Sequence, residues 1–282
     1  MTWRSLADGG RRSDPQRVRF AADFLPRLER LVAVLAAARE RDEGGARGRG
    51  LGGGDEFVGH RAYRLGEDLR DFDWELYARL GRPFVRVRRR EAGERWCVLL
   101  DTSASMGVGQ PGKLQAAAEI ASGIAFLGLR AGASTTLLDA SGAALSLRKR
   151  TDLAAWFAFL ETRVADGTKG VRELLADRRV DAASRLFVVG DLLDCEPSDV
   201  LPRAQRGRTL HAVRVLAPHE LAPRLADGVE WIDPENDERL DVRVGAEVLE
   251  AYARALTARL EAWNTSFARR GQRHSTWSSA TP

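Results

Sequence analysis

Short, nearly continuous apolar runs alternate with amphipathic stretches over the larger, carboxyl-terminal part of the chain. Residues 96–101, 134–140, 143–147, 185–191 and 209–216 read as strands, with a weaker one at 272–278. Between them, residues 113–130 place Leu114, Ala117, Ala121, Ile124 and Leu127 at helical spacing, and 153–163 do the same with Leu153, Trp156, Phe157 and Leu160. Residues 171–178 form a shorter third helix. Strands apolar on both faces need cover on both faces, so the pattern predicts an α/β fold: a doubly wound, mostly parallel, Rossmann-like sheet. The longest helical stripe comes near the end, where Leu249, Tyr252, Leu256, Leu260, Trp263 and Phe267 step by three or four and should dock on the sheet.

Upstream the pattern changes. Phe24, Leu28, Leu31 and Leu35 predict a helix over 23–41, with Asp23 as its cap. Residues 41–54 contain seven glycines among fourteen residues and read as a linker that cannot bury a face. Residues 57–90 are dense in aromatic and charged residues and hold a period-two strand at 83–88. We therefore expect an N-terminal extension of helix and Gly-rich linker (1–54), a segment packed on the core and anchored by Tyr63 and Trp74 (55–94), and the α/β domain (95–282).

Composition narrows the function classes. The longest purely apolar run, 31–38, is far short of the roughly 18 residues of a membrane span, and the first residues open no secretion signal, so the expectation is a cytoplasmic protein without membrane insertion. Two cysteines, Cys97 and Cys195, are too few for a disulfide framework or a cysteine zinc site and should be free thiols. The formal charge is +4, but only three of the 44 basic residues are lysines. That bias reads as coding composition, and no nucleic-acid partner is expected. The Arg-rich stretch 82–95 reads as a solvated edge strand.

The chemistry concentrates where the first core strand ends. Asp101-Thr102-Ser103-Ala104-Ser105 follows an apolar run and precedes a helix, at the carboxyl end of a strand, where open α/β sheets bind ligands. One carboxylate and two hydroxyls at alternate positions suit a hard cation that takes oxygen donors. Asp191 ends another apolar run and would reach the same sheet edge. Thr168, in a Gly-Thr turn before a helix, could add a third hydroxyl. The competing reading is a cap-and-turn cluster whose hydroxyls satisfy helix donors.

Other motifs are weaker. Gly107, Gly109 and Gly112 satisfy GxGxxG, and Gly107 to Lys113 satisfies GxxxxGK. The first glycine, however, lies six residues beyond Asp101, and Leu114 replaces the hydroxyl of a phosphate loop. Ser103 stands where an aspartyl-nucleophile phosphohydrolase needs its acid–base Asp. His60, His211, His219 and His274 show no spacing that aims a base at Ser103 or Ser105, and read as surface or packing residues. Asp194, Cys195 and Glu196 read as a solvent-facing acidic loop.

The site residues resemble the metal-ion-dependent adhesion site of von Willebrand factor A-type domains, with Asp101, Ser103, Ser105, Thr168 and Asp191 in the matching places. Arg61-x-Tyr63-x-x-Gly66-Glu67-Asp68-x-Arg70-x-x-Asp73-Trp74, followed by the Asp-Thr-Ser-x-Ser-Met loop, resembles the signature of the bacterial domain of unknown function 58 family. The resemblance spans roughly residues 50–282. Lys169 and Gly190 stand where that family more often has an acidic or amide residue and a Ser. It implies a von Willebrand factor A-like domain that holds Mg²⁺ (or Mn²⁺), is not an enzyme, and works as an adaptor beside a MoxR-type AAA+ ATPase. The metal would engage an Asp or Glu of a protein partner. The alternative is a Mg²⁺-dependent hydrolase using the same strand-end site.

Overall fold

The computed structural model describes residues 4–5, 17–42, 56–63, 72–89, 94–110, 112–167, 169–204, 207–223, 226–232 and 239–281. In chain order its strands and α-helices are β1 (Arg4–Ser5), α1 (Phe24–Asp42), β2 (Glu56–Ala62), α2 (Trp74–Leu80), β3 (Phe84–Arg89), β4 (Arg95–Leu100), α3 (Lys113–Arg130), β5 (Ser134–Asp139), β6 (Ala144–Leu147), α4 (Leu153–Glu161), α5 (Val171–Leu175), β7 (Arg185–Gly190), α6 (Pro197–Val200), β8 (Thr209–Leu216), α7 (Pro218–Leu221), β9 (Ala226–Ile232), β10 (Arg239–Val244), α8 (Ala246–Ala268) and β11 (Arg273–Ser278). Six strands form the main sheet in the order β11-β8-β7-β4-β5-β6, parallel except for β6.

Strand β4 lies at the centre, and its side chains divide by parity. Val98 and Leu100 join Leu114, Ala117, Ala121, Phe126 and Trp156 from α3 and α4 on one face. Cys97 and Leu99 join Leu174, Val180, Trp263 and Phe267 on the other. The alternating strands thus feed two apolar layers, the arrangement expected for a sheet covered on both sides. No helix among the described residues is long and apolar enough to cross a membrane.

The predicted core elements form where their periodicity places them, with ends displaced by a residue or two. Residues 171–178 are one exception: α5 ends at Leu175 and the chain continues as a 3₁₀ turn at Arg178–Ala182. The stripe on α8 is another, since only Trp263 and Phe267 are buried, while Tyr252 is 37% and Val248 47% exposed. In the first half of this helix Tyr252 is held through its hydroxyl, which donates to the Glu220 carbonyl.

The N-terminal helix packs on the core. Its inward face is Leu25, Leu28 and Val32, while Leu31 is 55% exposed, so the predicted stripe is rotated by about one residue. Phe20 and Phe24 meet Phe157 of α4 at ring distances of 4.8 and 6.0 Å. Leu35 and the Gly-rich stretch after Asp42 lie outside the described side chains and residues.

In the signature segment, β2 and β3 pair antiparallel, and residues 64–71, with Asp68, Arg70 and Asp71, lie outside the described residues. Asp73 caps α2 by accepting the backbone N–H groups of Glu75 and Leu76, and its other oxygen meets His60 at 2.8 Å. Trp74 does not anchor the segment. It is 62% exposed and packs sideways on Phe72. The hairpin β9–β10, joined by β1, was not legible in the hydrophobic pattern.

Candidate metal site

Chain order decides where the site lies. From β4 the chain crosses to β5 on one side and later returns to β7 on the other, so the carboxyl ends of β4 and β7 border a topological switch point. Asp101 and Asp191 are the first residues beyond those ends. The Asp101 N–H donates to Val189 O, which ties the two exits together.

After Asp101 the chain turns sharply. Asp101 Oδ1 accepts the Ser103 N–H at 2.9 Å, and a 3₁₀ turn over Ala104–Gly107 follows, with Met106 buried in the core beneath it. The Gly167 N–H donates to Thr102 O and the Ala104 N–H to Gly167 O, which fastens the Gly-Thr turn to the loop. A Cβ at Gly167 would stand 2.9 Å from Thr102 O, so only glycine allows this approach. Thr168 itself lies outside the described residues. Lys169 is exposed.

The hydroxyls then link the two carboxylates. Ser103 Oγ and Ser105 Oγ are 3.0 Å apart, and Ser105 Oγ donates to Asp191 Oδ2 at 2.9 Å. Asp101, Ser103, Ser105 and Asp191 are all buried. The structure therefore brings together four of the five predicted residues. Gly190 gives Asp101 its room: a Cβ there would lie 2.6 Å from Asp101 Cβ and 2.8 Å from its Oδ2.

Lys113 is a member of the site that the sequence reading set aside with the phosphate-loop decoy. It opens α3, is fully buried, and donates to Asp191 Oδ2 at 2.8 Å and Glu220 Oε1 at 2.7 Å. Glu220 Oε2 in turn accepts the Ala217 N–H, and Tyr252 Oη donates to the Glu220 carbonyl. With both carboxylates on its ammonium, Lys113 is closed to a phosphate. A signal existed: lysine is rare in this chain, and a cation in the first turn of a helix is disfavoured by the helix dipole unless something compensates it.

Charge separates the two aspartates. Burial and then the neighbouring Asp191 push the Asp101 carboxyl up to about 7. Burial acts upward on Asp191 too, but Lys113, followed by the Ser105 hydroxyl, holds it below the usual carboxylate range. The same partners hold the Lys113 ammonium above its ordinary value against the effect of burial. Among the described residues, no cation is bonded to Asp101. No group of three or more His, Cys, Asp or Glu side chains gathers for a metal among them either, so any metal here must rely on mixed carboxylate and hydroxyl donors.

Beyond Asp191 the chain is held under tension. Leu192 takes a φ of 53°, a left-handed conformation that costs a branched residue energy and persists only where surroundings enforce it. Arg259 donates to the carbonyls of Leu193 and Cys195 at 3.0 and 2.7 Å, and Arg214 to that of Leu192 at 3.3 Å. Arg214 is fully buried, 4.7 Å from the Trp263 ring, and its Nε and Nη1 have no hydrogen-bond partner among the described residues. Burial and then Arg259 lower it to about 10. Asp194 and Glu196 are exposed, as expected of a solvent-facing acidic loop, while the Cys195 side chain between them is buried, and both cysteines are free. The histidines stand apart: His60 meets Asp73, His211 meets Ser275, His274 meets Asn264, and His219 is exposed.

No curated protein matches the chain. Among solved structures it is similar to the conserved hypothetical protein BatB from Bacteroides thetaiotaomicron, at 14% identity over 67% of this chain and 92% of that one, with a TM-score of 0.40. It is also similar to an aerotolerance-related membrane protein from Bacteroides fragilis, at 15% identity over 61% of this chain and 100% of that one, with a TM-score of 0.35. The family profile described as protein of unknown function DUF58 matches residues 59–262, and the chain belongs to that family.

Proposed function

We propose that this protein is a metal-dependent, non-enzymatic protein-binding adaptor built on a von Willebrand factor A-like domain. Asp101, Ser103, Ser105 and Asp191, together with Thr168 after Gly167, would hold Mg²⁺ (or Mn²⁺). The observation that carries this reading is a fully buried carboxylate, Asp101, next to two hydroxyls and a second carboxylate, with no cation of its own among the described residues. Burying an uncompensated charge is costly, and a divalent ion that takes oxygen donors would remove the cost. The donor set fits a hard ion and contains no soft ligand.

When bound, the ion would supply a coordination position open to a carboxylate from outside. The chain's own contribution is positional: the Ser103 N–H fixes Asp101, Ser105 and Lys113 fix Asp191, and Gly190 leaves room between them. A partner Asp or Glu is the complementary group, and the family resemblance suggests a MoxR-type AAA+ ATPase in the cytoplasm. The hydrolase alternative lacks support from the histidines, none of which is hydrogen-bonded to Asp101, Ser103, Ser105 or Asp191 among the described residues.

Calorimetric titration with Mg²⁺ and Mn²⁺ tests the site. Saturable binding by the wild type and none by Asp101→Ala is expected, and equal binding by both would overturn the assignment. For the partner, copurification with a MoxR-type ATPase should weaken by about 2–5 kcal/mol on chelation or on Asp101→Ala, the range for truncating a buried charge contact. Binding indifferent to both would remove the metal from recognition.

A further inference from the structure

A polar cavity of about 230 Å³, partly open to solvent, lies at the opposite end of the sheet from Asp101 and is lined by Arg95, Arg148, Arg179, Ser134, Thr136 and Ser146 together with Cys97 and its neighbours. Strand register places it. Arg95 pairs with Ser134, Cys97 with Thr136 and Thr136 with Ser146, so these residues share one face of β4, β5 and β6. On that face the 3₁₀ turn Arg178–Ala182 covers β4. Beside it, β5 and β6 present hydroxyls where a covered strand would present apolar residues, and Thr136 Oγ1 and Ser146 Oγ are 3.0 Å apart.

The charge is one-sided. Among the described residues, three arginines line the cavity and no carboxylate does. Arg179 is fixed in place, with Nε and Nη2 on Asp177 and Nη2 also on Gly142 O. Arg95 and Arg148 have no hydrogen bond or ion pair from their side chains among the described residues. Guanidinium forks next to hydroxyl donors match a tetrahedral oxyanion, whose several oxygens can take paired N–H and single O–H bonds at once.

We propose that this cavity is a binding site for a small phosphomonoester. With Arg179 paired to Asp177, a dianionic phosphoryl group answers the two remaining guanidinium charges, of Arg95 and Arg148, whereas a monocarboxylate would match one of them. The volume corresponds to about eight water molecules at roughly 30 Å³ each, room for a phosphoryl group with a three- or four-atom tail. The site stands apart from the metal site in place, residues and charge, so it holds or falls independently of the adaptor reading.

The test is calorimetric titration of the whole chain with glycerol 3-phosphate and, in parallel, inorganic phosphate, at constant ionic strength. Saturable binding of the ester is expected, weakened about tenfold or more by Arg148→Ala and by Arg95→Ala, since one lost charge-assisted contact corresponds to about that factor. Thr136→Val should weaken it less. Thermal melts of the Arg95→Ala, Arg148→Ala and Thr136→Val variants should match the wild type. Binding of inorganic phosphate as tight as that of the ester would overturn the ester assignment. Absence of saturation with both probes, or equal binding by the Arg95→Ala and Arg148→Ala variants, would overturn the site.

Discussion

Asp101→Asn removes the charge of the site's central carboxylate while keeping its shape and the oxygen that accepts the Ser103 N–H. The wild-type carboxyl titrates near 7 in the folded chain against a reference of 3.8. A raised folded value means that the folded state binds the proton more tightly, so ionising Asp101 destabilises the metal-free protein. The penalty grows as pH rises above the unfolded value and levels off above the folded one. At 1.36 kcal/mol per unit, it amounts to about 4 kcal/mol at about pH 8 and about 2 kcal/mol at about pH 5.5. In chelator, Asp101→Asn should therefore be more stable than wild type by a few kcal/mol at the higher pH, and the gap should narrow on acidification. Urea denaturation at the two pH values, with and without Mg²⁺, reads this directly. Saturating Mg²⁺ should stabilise the wild type and not the variant. A variant less stable than wild type in chelator at the higher pH, or a wild-type profile flat between the two, would refute the reasoning.

Lys113→Met leaves two buried carboxylates without their shared ammonium and should cost about 3–5 kcal/mol in urea denaturation; adding Glu220→Gln should return part of it, and a neutral single variant would dismiss the ion triad. Gly190→Ala forces a methyl against Asp101 at 2.6 Å, so a stability loss of about 1–3 kcal/mol and weaker Mn²⁺ binding are expected in melts and titrations. Arg259→Ala frees the Leu193 and Cys195 carbonyls, and amide exchange across residues 191–196 should quicken; unchanged exchange would show that Leu192 is held by other contacts.

The alternation of apolar runs and helical stripes was enough to place the six strands of the main sheet and the helices between them, because burial on both faces leaves a periodic imprint on each element separately. Asp101, Ser103 and Ser105 were legible for a similar reason: they lie within one turn of chain, next to a buried strand. Asp191 could be named because it too follows a buried strand. What local pattern could not carry was partnership at a distance. Lys113, 78 residues from Asp191 and 107 from Glu220, reads as one end of a glycine motif until the strand order sets all three side by side. The left-handed turn at Leu192, the arginines gripping the carbonyls that follow it, the exposure of Trp74 and the half-covered α8 are likewise tertiary decisions. Each depends on which surface happens to face a residue, and that is set by how the layers stack, a quantity that no window of sequence contains.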